Sequence, residues 1–442
     1  MNTIEYFKEH FDQLQEENSD SGLRSIRQKA FDSFTRMGIP VRHEEWKYTR
    51  ISSLFNKQYN FSSTQPATSV SRKELDAVRL PGHEQANELV FVNGIFSFPL
   101  STIRSSNQLV VMPLEEAAQN EYKDIVSKHF GDSSNYLKDG INSLNTAFVK
   151  GAVFIHVKKG QIVEHPIYIY NITDARTGNI LAQPRSLVHV AGNAHVQLVE
   201  TYSTIGLDES FTNQVMEIVV EEDARVEYYK IQNDAPHSNQ VSTTHIRQVG
   251  KSYTHTVTIS LDGGLVRNNL NVVLDAEHCE AHLYGLYLQN GQSHIDNHTL
   301  VENVKPNCFS NELYKGIIDD NATGVFNGKI FVQPQAQKTN AYQSNKNILL
   351  SATASVNTKP QLEIFADDVK CSHGSTVGQL SKEAMFYLQS RGIGEQKARA
   401  LLVKAFLFDV TEKIKLPALE EYVNQLITRH IPLDETVTAD VK

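Results

Sequence analysis

From about Glu88 onward, apolar positions fall in short runs separated by polar ones. VFVNGIFSF, AVFIHVKKGQIV, HPIYIYNIT, SLVHVAGNAHVQLVETY, VMEIVVEEDARVEYYKIQ and HTVTISLDGG are rich in Val, Ile, Tyr and Thr, and Gly, Asn or Asp punctuates them. Such runs predict β-strands, because branched and aromatic side chains suit a pleated surface. They continue through LNVVLDAEHCEAHLYGLYLQ to KIFVQPQ and QLEIFADDV. Two turns share a pattern, Asn193-Ala194-His195-Val196 and Asp223-Ala224-Arg225-Val226, and they lie 30 residues apart. An imperfect period of roughly 20 to 30 residues, sustained over most of the chain, predicts a solenoid of strands. A parallel β-helix is the first reading and an array of β-sandwiches the second. The lack of interleaved helical patterns argues against a doubly wound α/β fold.

Helical spacing flanks this region. Ile4, Phe7, Phe11 and Leu14 share one face, and Leu23, Ile26, Ala30, Phe34 and Met37 share another after the polar break Asn18–Gly22. Gly38 and Pro40 follow as a helix stop. The only tryptophan, Trp46, lies in HEEWKYTRISSLF and is read as an anchor for this helical region. Residues 56–88 are polar and read as a connecting segment. Beyond Gly378, Ser381 offers an N-cap to KEAMFYLQSRG, which runs to Gly392. A second helix starts at Gly394, with a predicted apolar stripe of Ala398, Leu401, Leu402, Ala405, Phe406 and Val410. A third carries Leu419, Tyr422, Val423, Leu426 and Ile427. Three short helices bury little by themselves and must pack on the solenoid or on another protein. The expected division is a helical region at 1–88, a β-helix at 89–376, a helical domain at 377–433 and a disordered tail at 434–442.

Composition narrows the function. The 442 residues are 40% hydrophobic and 21% charged, as in an ordinary globular protein. A net charge of −9 without a basic run argues against nucleic acid as a partner. Three cysteines, Cys279, Cys308 and Cys371, with no two close in sequence, argue against a disulfide framework and for a reducing compartment. The start MNTIEYFKEHF does not read as a signal peptide, and no apolar run approaches the ~20 residues of a membrane span. The cytoplasm is the expected location.

The densest candidate chemistry lies in PQLEIFADDVKCSHGSTVGQL, residues 360–380. Ile364 to Val369 reads as a strand. If it persists, Asp367, Val369, Cys371 and His373 share one face, with Cys371 and His373 ~7 Å apart. A thiol and an imidazole so placed can act on one ion, but a closed site needs about four ligands. His278 with His282, and His294 with His298, repeat a four-residue spacing. In strands such pairs sit ~13 Å apart, so they read as surface or ladder histidines. Cys279 reads as a small buried hydrophobe and Cys308 as structural. No carboxylate pair stands out for glycoside chemistry. Gly324 to Lys329 lacks the spacing and the Ser/Thr of a P-loop, so any ATPase belongs to another chain.

These residues carry a resemblance. KPQLEIFADDVKCSHGSTVGQL followed by FYLQSRGI resembles the signature of the SufB/SufD iron–sulfur assembly scaffolds, and NELYKGIIDDNATGVFNGKIFVQPQAQKTNAYQSNKNILL extends it upstream. KCSHG and GIPVRHEEWKYTRISSLF are similar to the SufD branch rather than to SufB. The resemblance implies a mainly β fold, with a right-handed parallel β-helix between N-terminal and C-terminal helical domains. It implies a non-enzymatic scaffold that pairs with SufB through a β-helix edge and carries an ABC-type ATPase, SufC, on its C-terminal helices. Phe386, Tyr387, Arg391, Gly392, Ala398, Leu402 and Phe406 are then the expected SufC contacts. His373, and after it Cys371, would hold iron or a nascent Fe–S cluster shared with SufB. A flavin is implied for the assembled complex, although this chain has no dinucleotide fingerprint. A homodimer of the isolated chain is plausible through its strand edges. The alternatives are a β-helix carbohydrate-active enzyme, a metal-free structural homodimer and a SufB-type paralogue.

Overall fold

The computed structural model describes residues 3–17, 22–41, 43–61 and 70–431. Residues 18–21 of the polar break, residues 62–69 of the connecting segment and the tail expected to be disordered lie outside the described residues. The β-rich runs fold into a parallel solenoid of about eight turns with two strand faces. One sheet climbs from Val153–Val157 and Arg185–Val190 through alternate strands to Thr323–Val332 and Ser355–Ile364. The other climbs from Asn87–Val92 and Ile167–Ala175 to Asn340–Leu349 and Lys370–Gly378. Consecutive coils stack in register: Tyr253 pairs with Glu280 and Phe309 with Asn340, offsets of 27 and 31 residues. The repeat in the sequence is therefore the coil itself.

Asx residues turn the corners. Asn193 and Asp223 adopt φ of 59° and 52°, and His278, Asn307, Asp320 and Lys338 are also left-handed. Asn and Asp tolerate this region because a short polar side chain can bond locally. The alanine after each of the first two turns inward and is fully buried.

The lumen holds an apolar cluster that includes Val196, Leu198, Val226, Ile246 and Leu283. The same strands and later ones also bring polar groups into the interior. Tyr228 donates to Glu200, Lys230 Nζ donates to Ser242 Oγ at 2.8 Å, and Gln343 Nε2 donates to Glu312 Oε2 at 2.8 Å. Two tyrosines fit by virtue of glycines. Tyr314 pairs with Gly285 and Tyr287 with Gly316 on the neighbouring coil, so each ring lies where the partner has no side chain.

Glu312 is 2% exposed, and burial pushes its carboxyl up to about 7 against the opposing hydrogen bonds from Thr299 and Gln343. A raised acid binds its proton more tightly when folded. Its contribution is therefore largest below the unfolded value and falls as pH rises towards 7, where the folded chain must ionise it. Glu312→Gln keeps an acceptor for Gln343 and removes the charge. It is expected to stabilise the chain at pH 8 by up to ~3 kcal/mol and to flatten the stability profile between the ordinary Glu value and pH 7. Urea unfolding at pH 5 and pH 8 tests this; equal effects at both pH values would rule it out.

The N-terminal helices Thr3–Glu17 and Arg24–Met37 join an aromatic cluster of Phe7, Phe11, Phe31, Phe34, Phe61 and Phe148. Trp46 anchors the following segment, as its pattern predicts. Its ring lies 3.8 Å from the Arg267 guanidinium, and its Nε1 donates to Asp139. Arg267 in turn pairs with Asp296 at 2.7 Å and donates to the Glu45 carbonyl at 2.8 Å.

At the other terminus lie helices Lys382–Ser390, Glu395–Thr411 and Pro417–His430. Ser381 Oγ accepts from Ala384 N as the expected N-cap. The predicted stripe of the middle helix needs correction. Ala400, Val403, Leu407 and Val410 pack in the cluster shared with strands Glu280–Gln289 and Phe309–Ile318, whereas Leu401 and Ala405 are exposed. The helix is apolar on more than one face, so periodicity alone does not choose which face is buried. Lys315 fixes the seat: its ammonium donates to the Phe406 carbonyl at 2.7 Å and pairs with Asp409. Among the described residues no helix is long and apolar enough to cross a membrane.

Candidate functional site at the open end of the solenoid

Among the described residues, no strand is laid over the last coil of the solenoid. Strand Lys370–Gly378 pairs, among the described residues, only with Asn340–Leu349, and Ser355–Ile364 only with Thr323–Val332. Two strand edges therefore present free backbone donors and acceptors, a template for another chain. Pro360, within the first edge, has no N–H to offer. The exposed side chains of Ile364, Phe365, Val377 and Tyr342 add apolar surface around the edges.

The predicted strand at Ile364–Val369 is not formed. The first edge strand stops at Ile364, residues 365–369 make the corner, and the last strand starts at Lys370. Asp367 and Asp368 belong to that corner, where a chain reversing direction favours Asx residues. Asp367 thus falls outside the strand that carries Cys371 and His373.

Those two do share one strand, two residues apart, and so one face. Cys371 stacks on Ala341 and His373 on Gln343, both buried in the coil beneath. Cys371 packs beside Ala341, Ile330 and Leu362, and burial pushes its thiol up. His373 is exposed. The open end thus offers a half-buried thiol and an exposed imidazole, both ligands suited to iron or Fe–S species. Among the described residues no group of three metal-binding side chains converges.

Of the four histidines at four-residue spacing, three find protein partners. His294 Nε2 lies 2.8 Å from Thr49 Oγ1, and His298 Nε2 lies 3.1 Å from Asp296. His282 stands in a ladder of rings with Tyr253, Tyr284 and Phe309 on the outer face. His278 turns a corner.

The C-terminal helices leave a second surface. Phe386 and Tyr387 are 72% and 58% exposed, Phe408 is 55% exposed, and Arg391 sits over the Tyr387 ring. Gly392 ends the first helix with φ of 84°. Leu402 and Phe406 are half-buried. Ala398 is fully buried, so it belongs to the seat of the helix and not to its outer face.

One association escaped the sequence reading. Cys279 and Cys308 precede strands that pair in register, Glu280 with Phe309, and so occupy neighbouring coils. Their separation of 29 residues, one coil length, was the available signal.

Comparison with known proteins agrees with this architecture. The family model for the SUF system FeS cluster assembly SufBD core domain matches residues 171–406, and that for the SufBD protein N-terminal region matches residues 1–169. An iron–sulfur cluster assembly SufBD family protein of Synechocystis is 32% identical over 92% of this chain and 91% of its own length. The iron–sulfur cluster assembly protein SufD of Escherichia coli is 30% identical over 92% of each chain. The chloroplastic protein ABCI7 of Arabidopsis thaliana is 28% identical over 90% of this chain and 83% of its own length. A solenoid with two free strand edges, a Cys-x-His strand at its end and family matches along most of its length identify the chain as a member of the SufBD family of SUF-system iron–sulfur cluster assembly proteins.

Proposed function

We propose that this chain is a SufD-type accessory scaffold that does no bond-making chemistry of its own and completes an assembly site only when paired with a SufB-type chain. The observation that carries the reading is His373, exposed on a strand whose outer edge has no partner among the described residues, none of which brings a third ligand to it. Edge pairing would bring a second protein's side chains onto the face that holds His373 and Cys371, and iron or a nascent cluster is the cargo of that shared site. The exposed aromatic face around Phe386 and Tyr387, with Arg391, Gly392, Leu402 and Phe406, is the docking surface for a SufC-type ATPase. Family membership favours this reading over the carbohydrate-active alternative. A reducing cytoplasm fits the unpaired cysteines.

The test is cluster loading of the complex reconstituted with SufB-type and SufC-type partners. His373→Ala is expected to lower bound iron and sulfide ~10-fold or more while the complex elutes unchanged, the scale on which ligand-sphere substitutions act. Unchanged loading with an intact complex would make His373 structural and move the site wholly into the partner.

A further inference from the structure

We propose that Cys279 and Cys308 form an intrachain oxidation site, closing to a disulfide that staples two consecutive coils beneath the C-terminal helices. Both cysteines are almost completely buried, and each immediately precedes a strand of the same parallel pair, with Phe309 N donating to the Cys279 carbonyl at 2.9 Å. Neighbouring parallel strands lie ~4.8 Å apart, inside the range of Cα separations that a disulfide spans. The thiols interact with each other. Cys279 Sγ donates to the Gly250 carbonyl at 3.4 Å and Cys308 Sγ to the Ala276 carbonyl at 3.2 Å, while the neighbouring thiol pulls Cys279 down and, with burial, pushes Cys308 up. Either thiol of the pair can attack first, as its thiolate. At the same corner position the coils below carry Ala224 and Ser252, and the coil above carries Thr339. Small side chains fill the column throughout, and only these two adjacent coils place sulfur in it.

With a peroxide as oxidant the step balances. With Cys279 first, its sulfur attacks one peroxide oxygen, the O–O bond breaks, and a sulfenic acid forms with release of one water. Cys308 then attacks the sulfenic sulfur, the S–O bond breaks, and a second water leaves. A dithiol reductant reverses it. The staple joins the starts of strands Glu280–Gln289 and Phe309–Ile318, the two strands on which helix Glu395–Thr411 is seated. Oxidation would therefore stiffen the support of the helical domain while leaving Cys371 free.

The experiment oxidises the full-length chain with hydrogen peroxide, quenches it, and alkylates it in denaturant. Three cysteines are available. The expected result is one alkylated thiol, at Cys371, a mass loss of about 2 Da before alkylation, and a peptide pair linked through Cys279 and Cys308. Cys279→Ser is expected to abolish the linked pair, and Cys371→Ser to leave it unchanged. Full alkylation of Cys279 and Cys308 while Cys371 gains oxygen would overturn the proposal, as would a linkage of either residue to Cys371. The wild-type mass readout stands even if the Cys279→Ser chain does not fold.

Discussion

Replacing Arg267 by Ala is expected to cost about 3–5 kcal/mol of stability, the scale for breaking a buried ion pair. Arg267 and Asp296 are each 1% exposed. Burial opposes charge on Asp296, but His298 and Arg267 outweigh it and hold the carboxyl well below its usual range. Without the guanidinium, a buried carboxylate keeps only His298 and Thr49, and the Trp46 ring loses the cation lying against it. Cation–π contact at a desolvated site adds about 1–2 kcal/mol to what is lost. Because Trp46 is the only tryptophan, its fluorescence reports this contact directly. Adding Asp296→Asn should recover part of the loss by removing the unpaired charge. A urea midpoint unmoved by Arg267→Ala would show that the N-terminal segment is held by its aromatic cluster alone.

Gly285→Val should be nearly as damaging, by about 3 kcal/mol, the upper part of the range for overpacking a core. A Cβ at Gly285 would lie 2.0 Å from Tyr314 Cε1 and 2.2 Å from its Cδ1, and Tyr314 is 2% exposed with no free space to enter. The strand must bend or the ring must leave the lumen. If the clash is the cause, Tyr314→Leu in the same chain should restore part of the stability, giving a coupling of opposite sign to the single losses. A double variant no more stable than the sum of its parts would place the damage in backbone strain instead.

How far the sequence foretold this molecule depends on what each element needs. The coils were legible because short runs of branched and aromatic residues and a repeated Asx-Ala corner are local signals, and Asn193 and Asp223 do turn corners. The Cys371 and His373 pairing was legible for the same reason, since two residues two apart on a strand share a face. The corner at 365–369 was misread because Phe365 and Val369 look like strand residues when their coil partners are unknown. The buried side of helix Glu395–Thr411 was not legible, since Leu401 and Val403 are equally apolar and only strands Glu280–Gln289 and Phe309–Ile318 decide between them. The adjacency of Cys279 and Cys308 required the coil period to within one residue, which an imperfect repeat withholds.

The one-sided pairing of the final coil has a thermodynamic consequence. In a stack whose units touch only their neighbours, an interior unit is held from both sides and an end unit from one. The last coil is therefore the first to open, and the free energy of its local opening lies below that of the coils behind it. A second chain laid along strands Ser355–Ile364 and Lys370–Gly378 turns that end unit into an interior one. Ordering of the coil and occupancy of its edge then become a single linked equilibrium. On the proposed pairing, the rigidity needed to hold the His373 imidazole at a fixed distance from a partner's ligand would be acquired only when the partner arrives.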